Sequence, residues 1–442
     1  MSAVLFGFFG LGCLLAIAWL FSNNRRAIDW RLISTGVLLQ ILFAAFVLLT
    51  PFGAAVFGAA AHAFVTVSGF TTEGARMIFG DLATADKFGF IFVFQVLPTV
   101  IFFAALTAVL YHLGILQMVV KGMAWGITKV MRLSGAETTS VCASVFIGQT
   151  EAPLTVRPYI GKMTESELLT MMIGGMAHIA GGVMATYVAM LGGTDPELQA
   201  FYAKHFLAAS IMAAPATFLV AKMLIPETDE PLTRGNIKVE VEKTSANIID
   251  AAAAGAADGV KLAINIAAML LAFVALIAMI NAIIGWFGDL HLSGYQSLNM
   301  MLNQGAAAGA APVTLNLGLI LGYILAPIAW VIGIDWNDAV IAGGLIGQKI
   351  VLNEFIAYLQ LSQIPVGDGP GAISEHSRLI LTYALCGFAN FASIAIQIGG
   401  IGSLAPERRS DLARFGLRAV LGGTIATLMT ATIAGVLLHF GV

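Results

Sequence analysis

Apolar runs dominate the pattern along the chain, and most of them are about twenty residues long. Runs of this length are typical of membrane-spanning α-helices, which need about 20 apolar residues to cross the hydrocarbon core. A transmembrane β-barrel would instead show apolar and polar residues alternating over segments of about ten. The runs predict eight spanning helices, at residues 4–22, 32–52, 89–112, 168–191, 206–224, 260–287, 379–402 and 419–440.

Two further apolar segments are interrupted near their centres by polar residues. The first, at about 136–160, contains GQTEAP, and the second, at about 337–361, contains NEFIAY. Irregular backbone at membrane depth is tolerated only where it is buried in protein or lines a wet cavity. We therefore predict that both segments are re-entrant hairpins, with shorter or interfacial helices beside them at 115–131 and 317–334.

The distribution of basic residues supports this arrangement. With the first loop in the cytoplasm and each hairpin returning to its own side, 17 of the 22 Lys and Arg residues lie on the cytoplasmic side. Such a bias is expected from the positive-inside rule. It predicts eight crossings with both termini outside. The first apolar run lacks the basic start of a signal peptide, so we interpret it as a retained helix.

The two halves of the chain contain similar elements in the same order. GQTEAP corresponds to NEFIAY, and IAGGVMATY corresponds to FANFASIA. Because the first hairpin enters from the cytoplasm and the second from outside, the halves are predicted to be inverted repeats, an arrangement typical of secondary transporters with a site at the membrane midplane. The predicted parts are N-terminal scaffold helices with an interfacial segment (1–112), a first repeat (113–225, hairpin 136–160, broken helix 168–191), a flexible cytoplasmic linker (226–250), a central scaffold helix and loop (251–316), and a second repeat (317–442, hairpin 337–361, broken helix 379–402, last helix 419–440).

Composition agrees with an all-α integral membrane protein. The chain is 59% hydrophobic and 11% charged, whereas about a quarter of the residues of a soluble protein are charged. The net charge of −3 and the lack of a basic run give no indication of nucleic-acid binding. Cys13, Cys142 and Cys386 lie in apolar segments without metal-ligand spacing, as expected for small buried side chains.

Two carboxylates at membrane depth are the strongest candidates for function. Glu151 and Glu354 each lie at the break of a predicted hairpin, where a charge costs at least ~2.5 kcal/mol on the most lenient scale. They either bind a ligand or tie helix ends together. The neighbouring Asn353, Asn390 and Ser393 either bind the same ligand or join helices by hydrogen bonds. The predicted cavity is lined by Gln149, Thr150, Glu151, Asn353, Glu354, Asn390 and Ser393, with Phe388 able to stack on a ligand.

This set of side chains suits a small neutral ligand that is rich in hydroxyl and amide groups. It does not suit an anion, because Lys349 is the only basic residue that could converge on it. His178, in GGMAHIAGG, is either a hydrogen-bonded packing residue or part of an ion or proton site, since imidazole titrates near neutral pH. An intramembrane enzyme with a Ser144–His178 dyad is an alternative, but no oxyanion site or orienting acid accompanies that pair.

Five motifs identify a family. In chain order they are GQTEAPLTVRPYIGKMTESEL, GGMAHIAGGVMATY, GQKIVLNEFIAY, CGFANFASIAI and GSLAPERR. They resemble the bacterial branch of the concentrative nucleoside transporters over essentially the whole chain. The resemblance implies a homotrimer in the bacterial inner membrane whose protomers combine a scaffold with a mobile transport domain. It also implies eight transmembrane helices, two opposed hairpins, elevator-type movement, and nucleoside uptake driven by a cation gradient without a cofactor.

The resemblance also assigns roles to residues, for a substrate such as uridine or adenosine. Gln149 and Thr150 would contact the nucleobase, assisted by Glu151, while Val183 would flank the base and Phe388 would line the pocket. Glu354, Asn390 and Ser393 would hold the ribose hydroxyls. A carboxylate that accepts two hydroxyl donors forms charge-assisted hydrogen bonds, which agrees with the interpretation of the carboxylates above.

The expected cation site departs from the family pattern. In sodium-coupled members an Asn and a Ser side chain contribute ligands at the positions of Ser144 and His178, which this chain places opposite each other. The carbonyls of Ile147, His178 and Ile179 would remain. We therefore favour H⁺ over Na⁺ as the coupling ion, with Glu151, Glu354 or His178 as the proton carrier. A sodium-coupled symporter is the alternative, and a passive channel is disfavoured because opposed hairpins close both sides of a site.

Overall fold

The computed structural model describes residues 3–89, 91–234, 245–291, 296–304, 313–367, 369 and 371–439. Regular structure in these residues is helical, apart from two isolated β-bridges. The first-half helices are α1 Ala3–Leu20, α2 Trp30–Leu49, α3 Pro51–Phe79, α4 Ala85–Phe88, α5 Phe92–Gln95, α6 Leu97–His112, α7 Ile115–Met131, α8 Gly135–Ser144, α9 Arg157–Ile160, α10 Glu165–Ala177, α11 Gly181–Gly192 and α12 Pro196–Leu224. The second-half helices are α13 Ile248–Asp289, α14 Leu298–Leu302, α15 Leu317–Val331, α16 Ala339–Val351, α17 Glu354–Gln363, α18 Glu375–Ala384, α19 Phe391–Leu404 and α20 Arg409–Leu438. Short 3₁₀ helices occur at Arg25–Ala27, Gly80–Ala83, Ala152–Val156 and Pro406–Arg408.

Eight helical segments in the described residues are long and apolar enough to cross a membrane. Their number equals the prediction, but one member differs. The 29-residue helix α3 was not predicted. It begins at Pro51, where the Thr50 side chain accepts a hydrogen bond from the Gly53 N–H, and its polar residues make it the least apolar of the eight. That mixed composition explains why the hydropathy pattern did not reveal it.

The predicted span 379–402 is two helices rather than one, as its Gly/Asn-rich interruption suggested. Helices α18 and α19 are separated by residues 385–390, where Gly387 has a positive φ of 152°. The predicted span 168–191 is likewise broken between α10 and α11, at His178–Ala180. Other boundaries moved outward: α13 begins at Ile248 rather than 260, and α20 begins at Arg409 rather than 419.

The two hairpins differ in their returning limbs. In hairpin 2 both limbs are α-helical, α16 and α17. In hairpin 1, α8 is followed by an irregular tip and then by 3₁₀ helix Ala152–Val156 and the single turn α9. Pro153 thus lies in the first turn of a 3₁₀ helix rather than of an α-helix. A second proline, Pro158, follows five residues later and removes another backbone donor, which disfavours a longer α-helix there.

Asparagine and serine or threonine side chains start several of the buried helices. Asn353 caps α17 by accepting from the Ile356 N–H at 3.0 Å, and Asn390 caps α19 by accepting from the Ser393 N–H at 2.8 Å. Caps of this kind satisfy backbone donors that a helix N-terminus leaves unpaired. In a lipid environment, where water cannot replace them, they are the reason that a helix can begin at membrane depth.

Burial separates an inner group of helices from an outer one. In α12, 89% of the most apolar 18-residue stretch is buried, whereas in α13 only 17% of the corresponding stretch is buried. The segments α10–α11 and α20 resemble α12 in this respect. The outer helix α13 packs closely on α6. This approach is possible because Gly255 and Gly259 of α13 have no side chain, and a Cβ at either position would collide with α6. The inner group contains the first broken helix; of the second, α18 is buried, whereas α19 buries only one face.

The predicted flexible linker is partly docked. The Gly135 N–H donates to the Thr233 carbonyl at 3.1 Å, and the Ala136 N–H donates to the Thr233 hydroxyl at 3.1 Å. Buried Lys222 forms ion pairs with Glu137 at 2.8 Å and Glu227 at 3.1 Å. Residues 226–234 are thus held against the base of hairpin 1, and residues 235–244 lie outside the described residues.

Candidate functional site

A chain of five hydrogen bonds connects the tips of the two hairpins; four join side chains, and one runs from the Ser393 backbone N–H to the Asn390 side-chain oxygen. It begins in α19, passes through the tip of hairpin 1, returns to the first turn of α19, and ends at hairpin 2 and α11. Its members are buried, and each is at most 8% exposed. In order they are Gln397, Gln149, Ser393, Asn390, Glu354 and Tyr187. Four of these six residues were predicted from the sequence to share a site.

Glu354 is the acceptor at the centre of the hairpin 2 end. Its Oε1 accepts from the Tyr187 hydroxyl at 2.9 Å, and its Oε2 accepts from the Asn390 side-chain amide at 3.0 Å. Both carboxylate oxygens therefore face donors, which is the arrangement that an ionised carboxylate requires in a buried position. Each oxygen retains lone-pair capacity, so further hydroxyl donors can bind.

Gln149 links hairpin 1 to α19. Its Nε2 donates to the Ser393 hydroxyl oxygen at 3.1 Å, and its Oε1 accepts from the Gln397 Nε2 at 3.1 Å. Gln397 also donates to the Met172 carbonyl at 2.9 Å, which ties this end to α10. Gly175 in α10 allows the close approach, because a Cβ there would lie 2.8 Å from Gln397 and 2.9 Å from the Cβ of Gln149.

Two members of the hydrogen-bonded chain, Tyr187 and Gln397, were not predicted. Each lies one helical turn after a predicted site residue, Tyr187 after Val183 and Gln397 after Ser393. Residues four apart share a helix face, so polar side chains at membrane depth at these positions were a usable signal. Tyr187 also stacks on Tyr358, with ring centroids 4.3 Å apart, which fixes the direction of its hydroxyl.

The remaining predicted residues near hairpin 2 are placed as follows. Asn353 is 2% exposed, and its Nδ2 has no hydrogen-bond partner in the described part of the chain. A buried amide donor without a partner is costly, so this group is available to a ligand. Phe388, in the α18–α19 break, is half-buried and packs against the hydrophobic core.

Glu151 and Thr150 of hairpin 1 lie apart from the hydrogen-bonded chain. The Glu151 side chain is exposed and folds over Gly148, where a Cβ would collide with its carboxylate. Thr150 is partly buried, and its methyl group lies against Gly400 of α19. Of the hairpin 1 triplet, only Gln149 thus enters the connection to hairpin 2.

A cavity of about 740 Å³ lies between the outer helices α6 and α13 and the tip of hairpin 1. This volume is within the usual range of ligand pockets. Hairpin 1 residues Gly148 and Glu151 line it, as do Gly181 and Val183 from the first turn of α11. Arg157 and Asp258, which are predicted to lie toward the cytoplasm, also line it. The tip of hairpin 1 therefore borders this cavity.

The residues predicted for a cation site lie near each other in the backbone but are not linked through their side chains. The Gly181 N–H donates to the Phe146 carbonyl at 3.2 Å, which joins hairpin 1 to the α10–α11 break. However, the Ser144 hydroxyl donates to Ser140 of its own helix at 3.0 Å, and His178 Nδ1 bonds the Gly174 carbonyl at 2.7 Å. Among the described residues, no hydrogen bond thus joins the Ser144 and His178 side chains, and their role in a cation site stays a prediction.

The second imidazole nitrogen, His178 Nε2, has no partner of normal hydrogen-bond geometry among the described residues. The backbone of Ser210 in α12 is near the imidazole ring. Because Ser144 is not activated by His178, the geometry does not form the nucleophile–base pair that hydrolysis would require. The carbonyl groups of Ile147, His178 and Ile179 belong to the two segments that the Gly181–Phe146 hydrogen bond joins, and their role as ligands stays a prediction.

Comparison with known proteins identifies the family. Residues 9–82 match the family model of the Na⁺-dependent nucleoside transporter N-terminus, residues 93–194 match that of nucleoside recognition, and residues 205–435 match that of the Na⁺-dependent nucleoside transporter C-terminus. An uncharacterized transporter of Haemophilus influenzae is 43% identical, with 99% of each chain covered.

Other similar proteins have a functional name or a solved structure. The nucleoside permease NupC of Helicobacter pylori is 39% identical, covering 98% of this chain and 97% of the relative. The solved structure of CNTnw in an inward-facing substrate-bound state superposes with a TM-score of 0.88 at 41% identity, covering 100% of this chain and 99% of that one. The predicted fold class is thereby confirmed, and the chain belongs to the concentrative nucleoside transporter family, a family of multi-pass membrane transporters and not of enzymes.

Proposed function

We propose that this protein takes up nucleosides such as uridine or adenosine by symport with protons. The observation that carries the proposal is the buried hydrogen-bonded chain from Gln149 to Glu354. It connects an amide at the tip of one hairpin with a carboxylate at the tip of the other. A ligand bound beside it would contact both hairpins and both repeats at once.

The chemistry of this hydrogen-bonded chain matches the two parts of a nucleoside. An amide offers a donor and an acceptor to a nucleobase edge, so Gln149 and, in a supporting role, Thr150 and Glu151 are assigned to the base. Glu354 offers paired acceptors to a cis-diol, with Asn390 and Ser393 beside it, and Asn353 supplies an unused donor. Val183 and Phe388 are the apolar contacts. The substrate-bound state named for CNTnw supports a ligand site in this fold.

The choice of the proton rests on the residues at the expected cation site. Sodium prefers compact oxygen ligands, and here one expected oxygen is replaced by the imidazole of His178, while the Ser144 hydroxyl is engaged with its own helix. Glu354 is occupied as an acceptor by two donors. His178 and Glu151 are therefore the proposed proton carriers, because His178 Nε2 has no partner of normal hydrogen-bond geometry among the described residues and Glu151 lines the cavity.

Uptake of radiolabelled uridine into proteoliposomes tests the proposal, with a pH gradient and a sodium gradient applied separately. We expect accumulation with the pH gradient and none with sodium at symmetric pH. The reverse result would replace the proton with sodium, and failure of every nucleoside to accumulate under either gradient would overturn the function. Mass spectrometry of the recovered substrate should show it chemically unchanged, as transport requires.

Assembly and orientation complete the proposal. We propose a homotrimer in the bacterial inner membrane, with both termini on the outer side, and with the exposed outer helices forming a scaffold around a moving inner group. Native mass spectrometry in lipid should give three copies. Impermeant thiol reagents should label a cysteine introduced at residue 3 from the outside and one introduced at Arg132 only after permeabilisation.

A further inference from the structure

Lys349 is a buried cation that the site described above does not use. It lies on α16, the first limb of hairpin 2, five residues before Glu354, and it is 0% exposed. The other deeply buried lysine, Lys222, has carboxylate partners at 2.8 and 3.1 Å. Lys349, in contrast, has no carboxylate within 4.0 Å in the part of the chain that the structure describes.

The partners of Lys349 are neutral and lie on two other elements. Its Nζ donates to the Ala384 carbonyl at 3.0 Å and to the Thr427 hydroxyl oxygen at 2.9 Å. Ala384 is the last residue of α18, so this carbonyl belongs to the negative end of a helix dipole. Thr427 donates its own hydrogen to the Thr424 carbonyl at 3.0 Å, which leaves its oxygen free to accept.

A buried charge without an ionic contact is costly, so a more distant counter-charge is required. Glu354, on the other limb of hairpin 2, is buried as well, and both residues bond the α18–α19 region: Lys349 bonds the Ala384 carbonyl and Glu354 bonds the Asn390 amide, so their opposite charges attract through the protein interior. The other titratable groups around this pair are Tyr187 of α11, Tyr358 of α17 and Cys386 of the α18–α19 break. Tyr and Cys are neutral between about pH 5 and 7.5, so Lys349 and Glu354 are the two charges that determine the local field.

We propose that Lys349 is a positioning residue of the nucleoside site: its charge keeps Glu354 ionised as an acceptor for sugar hydroxyls, and its hydrogen bonds hold hairpin 2 against the α18–α19 break and α20. This inference rests on the proposed function, because it assumes that Glu354 binds the sugar. It adds Lys349, which would act on the substrate only through Glu354. It also accounts for a lysine at a position where a neutral donor would suffice for packing.

The test compares equilibrium uridine binding between pH 5 and 7.5 for the full-length protein in lipid nanodiscs. In Lys349→Gln the carboxylate loses its neighbouring charge, so we expect the pH at which binding is half lost on acidification to lie about one unit higher than in the wild type. Lys349→Arg retains the charge and should retain the wild-type pH profile. Thr427→Val removes a packing hydrogen bond but no charge, and it should leave the pH profile unchanged as well.

The outcomes separate the two proposals. If Lys349→Gln binds uridine with the wild-type pH profile, or if Thr427→Val shifts the profile equally, Lys349 has only a packing role and the inference is overturned. If Lys349→Gln does not fold, a shifted profile in Lys349→Arg would overturn it instead. If the wild type binds no nucleoside at all, the proposed function itself fails.

A sugar-specificity measurement provides a second readout. Wild-type protein should bind 2′,3′-dideoxyuridine at least tenfold more weakly than uridine, because the carboxylate then loses its hydroxyl donors. In Lys349→Gln at pH 6 this ratio should fall to below about threefold, since a protonated carboxyl group is a weaker acceptor. An unchanged ratio would contradict a role through Glu354.

Discussion

The two hairpin tips carry a glutamate each, but the structure gives the two carboxylates opposite environments. Glu354 of hairpin 2 is 2% exposed and accepts hydrogen bonds from Tyr187 and Asn390. Glu151 of hairpin 1 is exposed and folds over its own backbone at Gly148. The repeats are therefore alike in order and unlike in chemistry, which agrees with the proposal that one hairpin supplies the sugar contact and the other supplies an amide and an exposed acid.

The difference has a backbone origin. In hairpin 2, Asn353 caps a regular α17, so Glu354 occupies the first turn of a helix that points it inward at Tyr187. In hairpin 1, the returning limb is a 3₁₀ turn started at Ala152, and Glu151 lies just before it in irregular backbone. A regular limb fixes the side-chain direction, whereas the irregular one exposes it to the cavity.

The largest expected effect is that of Glu354→Gln. The amide nitrogen would face either the Asn390 amide, where a donor would oppose a donor, or the Tyr187 hydroxyl, which would have to turn its hydrogen away and accept; in either case the charge-assisted bonds to the sugar would be lost. Concentrative uridine uptake should fall at least ~100-fold, as expected for loss of about 3 kcal/mol. Initial uptake rates in proteoliposomes measure this, with size-exclusion profiles to verify folding. Full uptake by this variant would remove the carboxylate from the site.

The next effect is that of Tyr187→Phe, which sharpens the hairpin 2 side of the comparison. It removes one hydroxyl donor from Glu354 and keeps the ring that stacks on Tyr358. Uridine should bind roughly tenfold more weakly, as expected for one hydrogen bond to a charged group. Tyr383→Phe is the matched control, because its hydroxyl contacts His205 at 2.8 Å and not Glu354. Equal losses in both variants would indicate a general packing effect.

A smaller effect on uridine binding is expected for Gln397→Leu, at the hairpin 1 end of the hydrogen-bonded chain. This change leaves the Oε1 of Gln149 and the Met172 carbonyl without their donor, so the amide of Gln149 loses its fixed orientation. Affinity for uridine should fall roughly fivefold, within the range of neutral hydrogen bonds. Isothermal titration measures it. An affinity loss as large as that of Glu354→Gln would show that both hairpins contribute equally to uridine binding, and it would contradict the difference between them.

The smallest effect on binding is expected for Glu151→Gln, which is the matched counterpart of Glu354→Gln. The side chain is exposed and has no part in the buried chain, so the dissociation constant for uridine should change less than about twofold at constant pH. If Glu151 carries the proton, this variant should still exchange internal for external uridine while losing accumulation under a pH gradient. A dissociation constant raised tenfold would make Glu151 a main contact of the nucleobase rather than a supporting one.

Much of the fold followed from the apolar pattern, and its failures have identifiable causes. The hairpins, both broken helices and α7 were predicted because polar residues inside a long apolar run are informative in lipid. Helix α3 was missed because threonine, serine and histidine reduce its hydropathy. Residues 226–234 were predicted as flexible because their composition is polar, yet tertiary contacts with Lys222 and the base of hairpin 1 hold them in place.

The sequence by itself determined that this chain is an α-helical membrane transporter with paired interrupted segments, because polar groups are so costly in lipid that paired interruptions of this kind indicate a binding site at membrane depth. It also named Gln149, Glu354, Asn390 and Ser393. Only the tertiary structure decided that these four form one hydrogen-bonded chain completed by Tyr187 and Gln397, that Glu151 stands outside it, and that Ser144 and His178 turn to their own helices. Hydrogen-bond direction depends on the exact approach of separate helices, and no local pattern in the chain encodes that approach.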